Sequence, residues 1–101
     1  NHSFIMDRSG QWRLAPAYDL CYSYNPQGRW TNRHQMSING KQDGFTFEDL
    51  ETVADRMGIK RGKEIIEKVV DTVSAWDQFA QKAGVKASHA KEIKSNLLLL
   101  R

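Results

Sequence analysis

A chain of 101 residues, 40% of them hydrophobic, is long enough for one domain, or part of one, that buries about two thirds of its unfolded surface. The net charge is only +3 and the charges are dispersed, with five basic and three acidic groups in residues 1–45 and ten and nine in residues 46–101. This dispersal argues against a dedicated nucleic-acid surface, which usually shows a clustered basic face.

Two further features of the sequence bear on its compartment and on membrane association. The longest apolar run, residues 97–100, has four residues, far fewer than the roughly 20 that span a membrane. Cys21 is the single cysteine, so an internal disulfide is excluded and a packing role is expected for it. A reduced, cytoplasmic protein without a membrane segment is therefore predicted.

The first 20 residues predict a β-hairpin. Two apolar runs, residues 4–6 and 12–14, flank a polar, glycine-containing segment typical of a tight turn. Such a hairpin would bring Asn1 and Asp19 close together, although they are 18 positions apart. Both offer the oxygen ligands that magnesium prefers. From the residues alone, a frayed terminus at Asn1 and a turn or helix cap at Asp19 remain the alternatives.

The residues that follow the hairpin interrupt regular structure. Pro16 lacks an amide donor and restricts its predecessor, so neither a helix nor a central strand is expected there. Tyr18 and Leu20 are predicted to point away from Asp19 into the core and so to fix the direction of its carboxylate. A contact between Tyr18 and a nucleotide is the alternative.

Residues 21–45 show no sustained period and predict an irregular connection, a kind of loop that is often functional. Three aromatic residues interleave with two arginines, a mixture that can stack on bases and neutralise phosphates. We favour the simpler interpretation, in which the aromatic residues cover part of the helical core. These residues are Tyr22, Tyr24, Arg29, Trp30 and Arg33.

The segment from His34 to Lys41 contains a short alternation, with Met36 and Ile38 on one side, and ends in a glycine turn. His34 and Lys41 are interpreted as solvated or structural residues. An approach of either one to phosphate or substrate is the alternative.

Helical periodicity begins at Thr46, which forms an approximate capping box with Asp49 three positions later. Gly58 and Gly84 are placed to end the first two helices, and Ser88 is the expected N-cap of the third. The predicted helices lie near residues 47–57, 61–83 and 89–99.

The central helix carries the predicted core, because apolar residues recur along it at alternating spacings of three and four. Replacement of a buried Trp76 by alanine would lower the free energy of unfolding by about 3 to 5 kcal/mol. In the last predicted helix, Leu98 and Leu99 lie outside the single apolar stripe. They are expected to pack against another part of the protein or a partner. The core stripe consists of Ile66, Val69, Val73, Trp76, Ala80 and Ala83, widened by Ile65, Val70 and Phe79.

Three segments, NHSFIM, WRLAPAYDL and HQMSINGK, resemble the C-terminal part of HipA-like serine/threonine kinases, the toxins of bacterial toxin-antitoxin pairs. In protein kinases generally, a catalytic-loop Asn and an Asp beyond it hold the magnesium ions that bridge the nucleotide phosphates. The resemblance therefore implies that Asn1 and Asp19 are the metal ligands and, through Mg2+, the residues that bind ATP.

The resemblance also implies a fold and a division of the chain into three segments. The expected fold is mainly helical (α+β), a short N-terminal hairpin followed by a bundle of about three helices, as part of a kinase-like C-terminal lobe. Within this single partial domain, residues 1–20 form the metal-site hairpin, 21–45 the irregular connection and 46–101 the helical part. The family's catalytic base, an Asp five residues before the Asn, would precede Asn1. No catalytic residue is therefore expected in this chain, which we expect to be an inactive piece by itself.

Two classes of function follow. In the first, the chain supplies Mg-ATP ligands and a scaffold for phosphoryl transfer to a protein substrate, with an antitoxin-like DNA-binding protein as partner. In the second, a non-catalytic helical module binds an antitoxin-like protein or DNA through its last helix and aromatic loop. An Asp at the fifth position before Asn1 would favour the first class.

Overall fold

The computed structural model describes residues 1–100. A two-stranded antiparallel hairpin is followed by an irregular connection and four helices, so the predicted mainly helical α+β class is confirmed. No helix in this described part of the chain is long and apolar enough to cross a membrane. The elements are β1 (Phe4–Met6), β2 (Trp12–Leu14), α1 (Phe47–Arg56), α2 (Gly62–Ser74), α3 (Trp76–Lys82) and α4 (Ala87–Ser95).

The hairpin turn is held by Asp7. Its Oδ1 accepts hydrogen bonds from the Ser9 hydroxyl (2.6 Å), the Ser9 amide (2.8 Å) and the Gln11 amide (3.1 Å). These bonds, the one from the Ser9 hydroxyl first, lower the pKa of Asp7. Gly10 has φ +84°, a conformation that favours glycine. The turn sets the register, in which Phe4 pairs with Leu14.

The predicted cap of α1 is confirmed. The Thr46 hydroxyl accepts from the Asp49 amide at 3.2 Å, and the Asp49 carboxylate accepts from the Thr46 amide at 2.8 Å. Gly58 and Gly84 follow the ends of α1 and α3 with φ +68° and +69°. Both glycines therefore act as the predicted helix terminators.

The prediction of one helix over residues 61–83 is wrong. The chain forms α2 and α3, separated at Ala75, which has φ −82° and ψ 15°. Near this break, the hydroxyls of Thr72 and Ser74 each donate to the carbonyl four residues earlier, both at 2.7 Å. Such bonds compete with the backbone and often bend helices.

The last helix also differs from its predicted span of residues 89–99. It begins after Lys86, which forms no side-chain cap, so Ser88 lies inside the helix and the N-cap prediction is wrong. At the other end, the side chains of Ser95 and Asn96 both donate to the Glu92 carbonyl, at 2.7 and 3.0 Å. The apolar run at residues 97–100 therefore lies beyond α4.

The interior of the described chain is small. Ala54 and Ala80 are its buried hydrophobic residues. In the predicted stripe, Ile65, Val69 and Phe79 are more than half exposed. The core prediction is therefore wrong for much of this stripe, because the fold leaves that side of α2 and α3 uncovered.

Trp76 is half-buried rather than fully buried. Its indole Nε1 donates to the Ala90 carbonyl at 2.9 Å, which joins α3 to α4. We therefore expect Trp76→Ala to lower the free energy of unfolding by about 2 to 3 kcal/mol, below the full cost of emptying a core site. Trp76→Phe keeps an aromatic ring and should cost less. Urea denaturation of wild type and the two variants measures the order of their stabilities. An alanine variant as stable as wild type would contradict the packing role of Trp76.

The crossing of α1 and α2 depends on Gly62. A Cβ atom on Gly62 would lie 2.4 Å from the Ala54 Cβ, too close for two carbon atoms. We expect Gly62→Ala to destabilise the protein by about 1 to 3 kcal/mol through overpacking. A double-mutant cycle with Ala54→Gly isolates this overlap, and a coupling energy near zero in denaturant titrations would contradict the close crossing.

Candidate metal site

The hairpin brings Asn1 and Asp19 together. Beyond the paired strands, the Ala15 amide donates to the Ser3 carbonyl at 2.9 Å, so the pairing extends toward the start of the chain. The Asn1 Nδ2 atom donates to the Asp19 backbone carbonyl at 3.0 Å and to the Asp19 Oδ2 atom at 3.3 Å. The structure thus places the two predicted ligands side by side.

Asp19 has an unusual backbone conformation. Its φ of +53° lies in the left-handed region, which is uncommon for residues other than glycine, although Asp enters it more readily than most. Such conformations cost of the order of 1 kcal/mol or more and concentrate at functional sites. The Asn1 amide holds one side of the carboxylate, and the Cys21 thiol lies 3.9 Å from Oδ1 on the other.

The predicted packing of Tyr18 and Leu20 is wrong. Tyr18 is 49% exposed and Leu20 is 80% exposed. The Tyr18 hydroxyl donates to the His2 carbonyl at 3.4 Å. The left-handed turn at Asp19 breaks the strand-like alternation on which the prediction rested. Asn1, rather than core packing, fixes the direction of the Asp19 carboxylate.

The two side chains offer a small set of oxygen donors. Among residues 1–100, no group of three or more His, Cys, Asp or Glu side chains is arranged to hold a metal ion. A structural zinc site, which takes four protein ligands, does not fit this donor set. One carboxylate and one amide oxygen do fit Mg2+, which takes few protein ligands and keeps waters and phosphates in its shell.

The aromatic residues of the irregular connection do not cover the helical core as predicted. Trp30 is 66% exposed, and the Arg29 guanidinium lies 5.0 Å from its ring centroid. Tyr22 and Tyr24 form an edge-to-face pair at 6.4 Å. The Tyr22 hydroxyl accepts from Asn96 Nδ2 at 3.1 Å, so the connection contacts the end of α4.

His34 and Lys41 both make structural contacts. The His34 ring packs edge-to-face on Phe45 with centroids 5.2 Å apart. The Lys41 Nζ atom pairs with the Asp49 Oδ2 atom at 2.7 Å. Their interpretation as structural residues agrees with these contacts. Met36, expected on the same side as Ile38, is 77% exposed.

Asp49 has a second role that the sequence did not reveal. Its side chain is only 5% exposed. It accepts from Lys41 Nζ, and also from Asn39 Nδ2 at 2.9 Å and from the amide and hydroxyl of Thr46 at 2.8 and 2.9 Å. These donors, Lys41 first, hold the pKa of Asp49 well below its usual range. One carboxylate thus joins the start of α1 to the preceding turn.

Part of this arrangement carries a sequence signal. Asn39-Gly40 is a typical hairpin-turn dipeptide, and the two residues adopt φ +50° and +80°. Ile38 and Lys41 exchange backbone hydrogen bonds of 2.8 and 2.9 Å across this turn. The capping box identified Asp49, but no pattern indicated that turn and helix share its carboxylate.

Comparison with known protein families identifies the family of this chain. The model of the HipA-like C-terminal domain family matches residues 1–97. No curated protein and no solved structure gives a significant match. Since the family match covers almost all of the 101 residues, the chain belongs to the HipA-like C-terminal domain family.

Proposed function

We propose that this chain is the metal-holding and helical part of an ATP-dependent protein serine/threonine kinase, the toxin of a toxin-antitoxin pair. The observation that carries the proposal is the contact between Asn1 and Asp19, made across 18 residues with Asp19 in a left-handed conformation. Membership of the HipA family supports it, since that family comprises kinases. The oxygen donors are those that Mg2+ takes beside nucleotide phosphates.

The roles of the two residues follow from their chemistry. The Asp19 carboxylate supplies negative charge to the cation, and the Asn1 side-chain oxygen supplies a neutral ligand beside it. Asn1 also orients Asp19 through its Nδ2 hydrogen bonds of 3.0 and 3.3 Å. When bound, the magnesium ion offsets charge on the transferring phosphoryl group. The catalytic base and the nucleotide-covering segment are assigned to parts of the kinase outside this chain.

Manganese binding tests the metal assignment. In the complete kinase with ATP, Mn2+ can replace Mg2+ and its free concentration can be followed by electron paramagnetic resonance. We expect Asp19→Asn to weaken Mn2+ binding about tenfold or more, since one negative charge leaves the shell. Asp71→Asn, at an exposed position of α2, is the matched control and should bind Mn2+ normally. Equal affinity in wild type and Asp19→Asn would refute the assignment.

The partner and compartment belong to the same proposal. An antitoxin-like DNA-binding protein is the expected partner, and a protein serine or threonine is the expected phosphate acceptor. Cys21 is exposed and free, which suits a reducing compartment such as the cytoplasm.

A further inference from the structure

A cleft of about 800 Å³ lies between the irregular connection and the end of α4. We propose that it binds an extended peptide segment of the protein substrate, beside the metal site. This inference rests on the proposed kinase function and adds to it the surface that selects the substrate. The residues of the cleft used in the argument are Tyr24, Trp30, Arg33, Gln35, Gln42 and Asp43.

The position of the cleft relative to Asp19 is limited by chain connectivity. Tyr24, which lines the cleft, is only five residues beyond Asp19. Because a chain extends at most about 3.6 Å per residue, their Cα atoms lie within about 18 Å of each other. A peptide of roughly five or six extended residues spans that distance. The cleft and Asp19 are therefore no farther apart than a short extended peptide spans.

The wall of the cleft is formed by hydrogen-bonded loop segments. Gln35 Nε2 donates to the Trp30 carbonyl at 3.0 Å, and Gln42 Nε2 donates to the Gln35 carbonyl at 2.9 Å. Asn96, at the end of α4, donates to the Tyr22 hydroxyl. These contacts hold the connection against itself and against α4. Binding to a surface held in this way costs less conformational entropy than binding to an unsupported loop.

The side chains of the cleft favour a peptide over a nucleic acid. Arg33 and Asp43 contribute one fixed charge of each sign to the lining, and Arg29 beside Trp30 adds one positive charge. This small excess is less than the clustered positive charge that attracts a polyanion. Trp30 and Tyr24 provide flat apolar surfaces of the kind enriched at peptide and protein interfaces. The glutamine amides add polar groups beside them, as in aromatic-lined grooves that take extended peptides.

Trp30 is the most exposed aromatic residue of the cleft, at 66%, and it carries the Arg29 guanidinium over its ring. Its replacement by alanine therefore removes contact surface with little effect on folding. Trp30→Phe keeps an aromatic ring at the same position. Phe79 provides the matched control, since it is also aromatic, is 52% exposed, lies on α3 and does not line the cleft.

The test selects binders for the complete kinase from a display library of random peptides that share one fixed serine, and then measures their affinities for purified variants. We expect Trp30→Ala to weaken binding about tenfold or more, with partial recovery in Trp30→Phe and no change in Phe79→Ala. Asp19→Asn should bind the peptides as wild type does. Normal phosphoryl transfer by Asp19→Asn would refute the proposed function and leave the cleft result standing.

Three outcomes would overturn the peptide assignment. The first is equal peptide affinity in wild type and Trp30→Ala. The second is the absence of any enriched peptide with wild-type protein. The third is a Trp30→Ala variant that loses affinity for an oligothymidylate single strand while its peptide affinity is unchanged, which would assign the cleft to nucleic acid.

Discussion

Asp19→Asn is expected to lower phosphoryl transfer by the complete kinase by orders of magnitude while the protein still folds. The substitution preserves side-chain volume and most local hydrogen bonding but removes one negative charge from the proposed metal shell. In the proposed site, Asp19 would hold the ion that offsets charge developing in the transition state. Single-turnover phosphorylation and thermal melting, measured side by side on both proteins, report activity and folding separately.

A turn or cap role for Asp19 leads to a different result. The substitution would then change stability by about 1 kcal/mol or less and leave the chemistry nearly intact. Asp71→Asn, on the exposed face of α2, controls for the loss of a carboxylate elsewhere. Near-normal turnover in Asp19→Asn would end the metal-ligand assignment.

Asp49→Ala is expected to lower the melting temperature by about 10 °C, because several interactions end together. The variant loses the capping box with Thr46 and the hydrogen bonds from Asn39 and Lys41. Thr46→Ala, which removes only the capping hydroxyl, should cost about 1 kcal/mol and serves as the comparison. Equal melting temperatures for Asp49→Ala and Thr46→Ala would show that the bonds to Asn39 and Lys41 add nothing.

The pKa of Asp49 gives this prediction a pH dependence. Because folding lowers the pKa of this carboxyl, its contribution to stability is fully present above the unfolded pKa of about 4. The contribution is lost as the pH falls from about 4 through the lower folded pKa. The difference in melting temperature between wild type and Asp49→Asn should therefore shrink below about pH 4. A difference that stays constant down to pH 2 would contradict the proposed stabilisation of the carboxylate.

The hairpin, the start of α1 and the ends of α1 and α3 were predictable because each depends on a local signal. The polar turn around Gly10, the Thr46 capping box and the terminators Gly58 and Gly84 all work through the residues beside them. The break at Ala75 was not predictable in the same way. The apolar stripe continues across it, and whether a Ser or Thr hydroxyl bonds back to the helix depends on its rotamer.

The contact between Asn1 and Asp19 was predictable, but its surroundings were not. Hairpin topology and the family resemblance paired Asn1 with Asp19, but the left-handed conformation of Asp19 that exposes Tyr18 has no signal in composition. Similarly, aromatic composition alone does not distinguish a residue that covers a core from one that lines a cleft, as Trp30 does. Such differences depend on tertiary contacts that no short pattern encodes.

The most direct test of Asp19 as a metal ligand is metal-specific rescue. Asp19→Cys replaces hard oxygen ligands with a soft thiolate, which binds Cd2+ far better than Mg2+. A Cys21→Ser background makes the new thiol unique, since Cys21 is the single native cysteine. We expect phosphoryl transfer by the complete kinase carrying Asp19→Cys to be nearly absent in Mg2+ and substantially restored when Cd2+ is added. The Cys21→Ser protein that retains Asp19 should show no such gain. Equal inactivity of Asp19→Cys in both metals, or normal activity in Mg2+, would contradict metal coordination by Asp19.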